Sequence, residues 1–207
     1  MIKLFNSTDN LFSSNGDKII IPTKAKIHKE DNGAFYLDLE TGLEYVNDLV
    51  QGNIIVAPTP QGEQAFRISS ATATRSKITA KCYHIFYDSK NYLIEDSYVV
   101  DKNCNDALDH LNSATSDLSP FATLSDVNNI NTYRCVRKSL YEAINVVLDR
   151  WGGHLVRDNF NIQIKNNIGQ DNGVVVIFFK FLPYLTTTPL SCPISFLILM
   201  LKLSLTK

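Results

Sequence analysis

Val136-Arg137-Lys138-Ser139-Leu140-Tyr141-Glu142-Ala143-Ile144-Asn145-Val146-Val147-Leu148-Asp149-Arg150-Trp151-Gly152-Gly153-His154-Leu155-Val156-Arg157-Asp158-Asn159-Phe160-Asn161-Ile162-Gln163-Ile164-Lys165 changes its hydrophobic period at a pair of glycines. Before the glycines, Val136, Leu140, Ala143, Ile144, Val147, Leu148 and Trp151 recur at three- and four-residue steps. That spacing predicts one apolar stripe on a helix over about 136–150. Gly152-Gly153 stops it, because glycine accepts the left-handed conformation common at helix C-termini. Beyond them the period becomes two. His154–Arg157 and Phe160–Lys165 are expected to be short strands joined at Asp158-Asn159, with Phe160, Ile162 and Ile164 facing inward. A helix followed by a β-hairpin makes this part of the chain α+β.

Upstream, Asn103 is placed to cap a helix running through Thr115 (about 103–115), with Ala107, Leu108 and Leu111 on one face. Residues 116–131 are rich in Ser, Asp, Asn and Thr, include Pro120, and read as a loop. Residues 1–100 are β-rich. Lys18–Pro22, Ala25–Glu30, Ala34–Leu39, Asn53–Ala57, Gln64–Ser70, Ser76–Tyr87 and Tyr92–Val100 all have strand composition, with turn formers such as Asn15-Gly16-Asp17 and Asp31-Asn32-Gly33 between them. Short, frequent strands suggest a sandwich or a small barrel. Downstream, 166–173 turns and Val174–Phe179 starts another strand. The expected fold class is therefore α+β and β-rich. It comprises a barrel-like or sandwich β domain over 1–100, a helix-containing α+β module over 101–179, and an atypical tail over 180–207.

The tail has no acidic residue, three prolines and an apolar block, Phe196–Leu201. Prolines interrupt its uncharged stretch and the unbroken block is short, so a membrane anchor ranks below a chain with no membrane expected. Composition agrees: 44% of residues are hydrophobic and 20% charged, ordinary for a folded soluble protein. With 20 basic and 21 acidic side chains, broad electrostatic binding to nucleic acid is not expected. Cys82, Cys104, Cys135 and Cys192 form no CxxC pair, so free buried thiols are favoured over a disulfide scaffold or zinc ribbon.

Catalytic, cofactor and metal sites are all assigned as none. His28, His84, His110 and His154 belong to no HExxH helix, and there is no GxSxG, Walker loop or GxGxxG. Cys82 and His84 share a strand face, as a nucleophile and base could, but two side chains on a half-buried strand is the favoured account. Asp106 and His110 are one helical turn apart without a third ligand, and read as an exposed pair. Asp38, Glu40 and Glu44 read as surface acids. Trp151 reads as a core anchor rather than a sugar-stacking platform.

Ser139–Ile144, Trp151-Gly152-Gly153-His154, Arg157-Asp158-Asn159-Phe160-Asn161-Ile162 and Gly169–Val174, in that order and spacing, resemble the signature stretch of the prophage tail endopeptidase family. Ala80–Asp88 with Asn91–Asp96 resembles the family stretch ahead of the helical insertion, so the likeness covers roughly 20–176. The resemblance implies a baseplate hub component of a phage tail: a homotrimeric ring of β-barrel-like domains at the end of the tail tube. It implies docking to the distal tail protein, the tube and the tape measure, a place in the virion tail, and assembly in the bacterial cytoplasm. The family's catalytic domain lies further toward the C-terminus, so no enzyme activity is expected in these residues. After Gly173 the sequence departs from the family pattern, and a change of reading frame near 174–180 is the expectation. The alternatives are a tail-associated cell-wall endopeptidase or hydrolase, and a carbohydrate receptor-binding module with aromatics on one sheet face.

Overall fold

A computed structural model of the protein describes residues 1–115, 119–168 and 175–179. The strands of the first part are β1 (Ile2–Phe5), β2 (Lys18–Ile20), β3 (Lys24–Lys29), β4 (Phe35–Thr41), β5 (Ile54–Thr59), β6 (Gly62–Ala73) and β7 (Ile78–His84). A 3-10 turn over Ile85–Asn91 leads to β8 (Leu93–Lys102) and helix α1 (Cys104–Ala114). Then come β9 (Ala122–Ser125), β10 (Asn131–Ser139), helix α2 (Leu140–Trp151), β11 (His154–Asp158), β12 (Asn161–Lys165) and β13 (Val175–Phe179).

Eight strands form one curled half-barrel sheet in the order β13-β3-β4-β7-β6-β5-β1-β2, all pairs antiparallel. Alternation along β4 and β7 puts Phe35, Leu37 and Leu39, and Ile78, Ala80 and Cys82, into one core with Ile2, Leu4, Ile27, Ile55, Phe66 and Ile68. This is the mostly β, barrel-like architecture expected from composition and turn spacing. A second core gathers α1, α2 and two small sheets, β8-β10 and β11-β12-β9. It includes Phe86, Ile94 and Val99, which precede residue 101. Trp151 is 1% exposed there, its ring edge-on to Tyr133 and its Nε1 donating to the Lys102 carbonyl.

The second helix begins at Leu140, not Val136. Ser139 caps it: its hydroxyl accepts from the Glu142 N–H while the Glu142 carboxylate accepts from the Ser139 N–H. Val136 belongs to β10, on the exposed side opposite Tyr133 and Cys135, so its helical spacing was coincidental. The segment read as a loop over 116–131 contains β9, held parallel to β12. Strand β1 was not anticipated; it pairs β5 and carries Leu4 and Phe5 into the cores. Asn103 caps α1 as expected, accepting from the Asp106 N–H at 2.8 Å. At the end of α2, Gly152 and Gly153 both have positive φ, and a Cβ on Gly153 would meet the Lys165 carbonyl at 2.8 Å. The glycines both stop the helix and admit a close strand crossing. Residues 175–179 pair with β3; Gly169–Val174, the apolar tail 180–207 and Cys192 lie outside the described residues. No described helix is long and apolar enough to cross a membrane.

Candidate functional site

The residues singled out for chemistry are occupied structurally. Cys82 and His84 do share the inner face of β7, but burial and nearby Asp38 push the Cys82 thiol up to about 12. A thiol so held is not a nucleophile near neutral pH. The buried His84 ring stacks on Phe35, accepts the Phe86 N–H at Nδ1 and meets Gln64 Oε1 at 3.0 Å through Nε2. Burial, with Arg157 and Lys29 nearby, holds its pKa well below the usual value, so the ring is neutral and Nε2 carries the proton that Gln64 accepts. His110 pairs with the Ser97 hydroxyl at 2.8 Å rather than with Asp106. Glu40 is bound by Lys77 at 2.9 Å, apart from exposed Glu44. Among the described residues no group of three or more His, Cys, Asp or Glu side chains could hold a metal.

Two of the stretches singled out for resemblance, Trp151–His154 and Arg157–Ile162, supply one side of the junction of the two cores. The tip between β3 and β4 is Glu30 to Gly33, with Asn32 at φ 52°. Its Asn32 side chain donates to the Gly153 carbonyl at 3.0 Å and accepts the Leu155 N–H at 2.6 Å. Asp31 pairs with His154 at 2.7 Å. Arg157, 2% exposed, donates to the carbonyls of Gly33 (2.7 Å) and Glu30 (2.9 Å) and lies between the rings of Phe35 and Phe86. On the other side, the β11–β12 tip reaches back to β6. Gln64 Nε2 donates to Asp158 at 2.8 Å, the Ala65 N–H donates to Asn159 Oδ1 at 2.8 Å, and Asn159 donates to the Glu63 carbonyl at 3.1 Å. Asn159 sits at φ 52°, a conformation Asn tolerates better than most residues. Lys29, at the same junction and beside the Phe35 ring, is pulled down to about 8 by burial and by Arg157. The β3–β4 tip thus seats on Gly153 and β11, and the β11–β12 tip on β6, through side-chain bonds to backbone and the pairs Asp31–His154 and Gln64–Asp158. Sequence reasoning missed Gln64, Lys29 and Glu30; nothing local marks them, since their partners lie far along the chain.

The outer face of the big sheet is different. His28, Tyr36, Tyr83 and Arg67 occupy one cross-strand row over β3, β4, β7 and β6. Tyr36, Tyr83, Tyr87 and Tyr141 follow one another at centroid spacings of 6.1, 5.7 and 5.7 Å, reaching from the sheet onto α2. Lys81 lies over Tyr36 at 4.4 Å and Lys90 over Tyr141 at 4.7 Å. Arg67 is held by Asp88.

A curled sheet with a second core docked on its hairpin tips has counterparts among solved structures. The chain resembles prophage tail protein gp18 from Listeria monocytogenes EGD-e with a TM-score of 0.63 at 14% identity, over 79% of this chain and 50% of that one. It resembles the tail protein from Neisseria meningitidis MC58 with a TM-score of 0.58 at 11% identity, over 79% and 49%. The fold is that of phage tail proteins. A further likeness is to the E. coli c3393 protein, a type VI secretion component described as structurally similar to the T4 tail proteins gp27 and gp5. There the TM-score is 0.51 at 5% identity, over 81% of this chain and 49% of that one. The chain spans about half the length of these structures. No protein-family model and no curated protein sequence matches it.

Proposed function

We propose that this chain is a structural component of a phage-type tail tip, a baseplate-hub part whose work is assembly rather than chemistry. The observation that carries this is the tail-protein fold, shared with structures named as tail proteins. The site geometry is in keeping with it. The residues that resemble the tail endopeptidase signature, Gly153, His154, Arg157, Asp158 and Asn159, are spent on seating one core against the other. Each of the four histidines has a structural partner: Glu30, Gln64, Ser97 and Asp31. The reading includes self-association into a closed ring, three copies by the family resemblance, and docking to tube, distal tail and tape-measure proteins in the virion tail. Heterologous contacts that close by rotation give such a ring. Sedimentation velocity over a concentration series tests it: a discrete oligomer supports the reading, and a monomer at every concentration contradicts it. A cell-wall zymogram tests the hydrolase alternative, and a clearing band abolished by Cys82→Ala would overturn the structural reading.

A further inference from the structure

The row of tyrosines and cations on the outer sheet face has features of a protein contact surface, and its charge selects a partner. Tyrosine and arginine dominate the energetic centres of interfaces, because they bring large rigid area with a polar end. Successive ring planes in the row are inclined by 58°, 75° and 35°. Such a surface has relief that side chains can fill, and is not a level platform for stacking a sugar chain. Lys81 and Lys90 are exposed and lie over tyrosine rings. Asp38 stands opposite Lys81 in register and Glu142 feels the charge of Lys90, but among the described residues neither ammonium is bound in a salt bridge. The opposite charge lies elsewhere on the same molecule. Helix α1 has no Lys or Arg and exposes Asp106 and Asp109 on its outer side; exposed Asp101 and Lys102 precede it.

We propose that the tyrosine–lysine face of one copy docks on the outer side of α1 of the next copy, with Lys81 and Lys90 meeting Asp106 and Asp109. The proposal rests on the self-association reading and adds the surfaces through which it happens. Because the two patches differ, the contact is heterologous and propagates around a ring rather than stopping at a two-fold pair. Charges on an interface rim set register and salt dependence, so the contact weakens as ionic strength rises.

The test is sedimentation of the full chain as four proteins: unmodified, Lys81→Glu/Lys90→Glu, Asp106→Lys/Asp109→Lys, and the fourfold combination. All four positions are exposed, and circular dichroism melting of each protein monitors folding; Lys81→Gln/Lys90→Gln replaces the first double variant should that one fail to fold. Each double variant is expected to weaken self-association by about tenfold or more, and the combination to recover most of it. A chain that is monomeric without any substitution removes both this proposal and the self-association reading. An oligomer that the double variants leave intact, or that the combination fails to restore, removes these surfaces alone and leaves the ring standing.

Discussion

The junction between the cores and the outer face of the sheet use similar residue types to opposite ends. At the junction, Arg157 is buried, its guanidinium met by two backbone carbonyls and two aromatic rings. On the outer face, Lys81 and Lys90 also lie on aromatic rings, but their ammonium groups remain in water. A cation removed from water must be satisfied within the fold, so it becomes part of what holds the chain together. A cation left on exposed rings adds little to folding and remains free to meet another molecule. The comparison teaches that internal seating and external docking are separable, and substitutions should separate them.

The largest loss is expected just ahead of the junction. Trp151→Ala removes the side chain that fixes the end of α2 and aims the strand carrying Arg157, and should reduce stability by roughly 3–5 kcal/mol. Unchanged denaturant or thermal unfolding would show that Trp151 is not the anchor. Next is Arg157→Ala, which removes the two charged bonds to the Glu30 and Gly33 carbonyls, leaves them only the longer ones from the Gly33 N–H and the Tyr87 hydroxyl, and should reduce stability by about 3 kcal/mol. A value within experimental error of the unmodified protein would mean that the tips do not hold the cores together.

A smaller effect follows from His84. Its pKa is depressed by burial, with Arg157 and Lys29 adding to the effect. The unfolded chain therefore takes up a proton below about pH 6.5 that the folded chain refuses. Stability accordingly falls as pH drops below that value, with a slope of up to about 1.4 kcal/mol per pH unit from this ring. His84→Gln should remove that part of the slope in urea unfolding curves; identical slopes would place the ring's proton elsewhere. Smallest of all, Lys81→Glu/Lys90→Glu should change stability by no more than about 0.5 kcal/mol, because exposed charges away from buried partners seldom count for more.

Much of the fold could be read from local pattern. Alternation in β3, β4 and β7 and the glycine-punctuated end of α2 are properties of adjacent residues. Where the reading failed, the deciding contact was distant or the pattern ambiguous. Val136 stands one helical turn before Leu140 yet also alternates with Cys135 and Tyr133, and Ser139 with Glu142 settles the boundary. Strand β9 is four residues long and exists through its parallel partner β12. The junction was only half legible. Asn32 and Leu155 are separated by 123 positions, so the turn Asp31-Asn32-Gly33 could be recognised as a turn but not as a seat. The tyrosine row is a property of register across two strands, a 3-10 turn and a helix, and no single stretch shows it.

The most direct test of the separation is sedimentation and thermal melting on Arg157→Ala and Lys81→Glu/Lys90→Glu side by side. The account predicts that the first lowers the melting temperature by several degrees, and that the second melts with the unmodified protein while its self-association weakens. A Lys81/Lys90 variant that melts early, or an Arg157 variant that melts unchanged, would contradict the division of the molecule into an inner seat and an outer docking face.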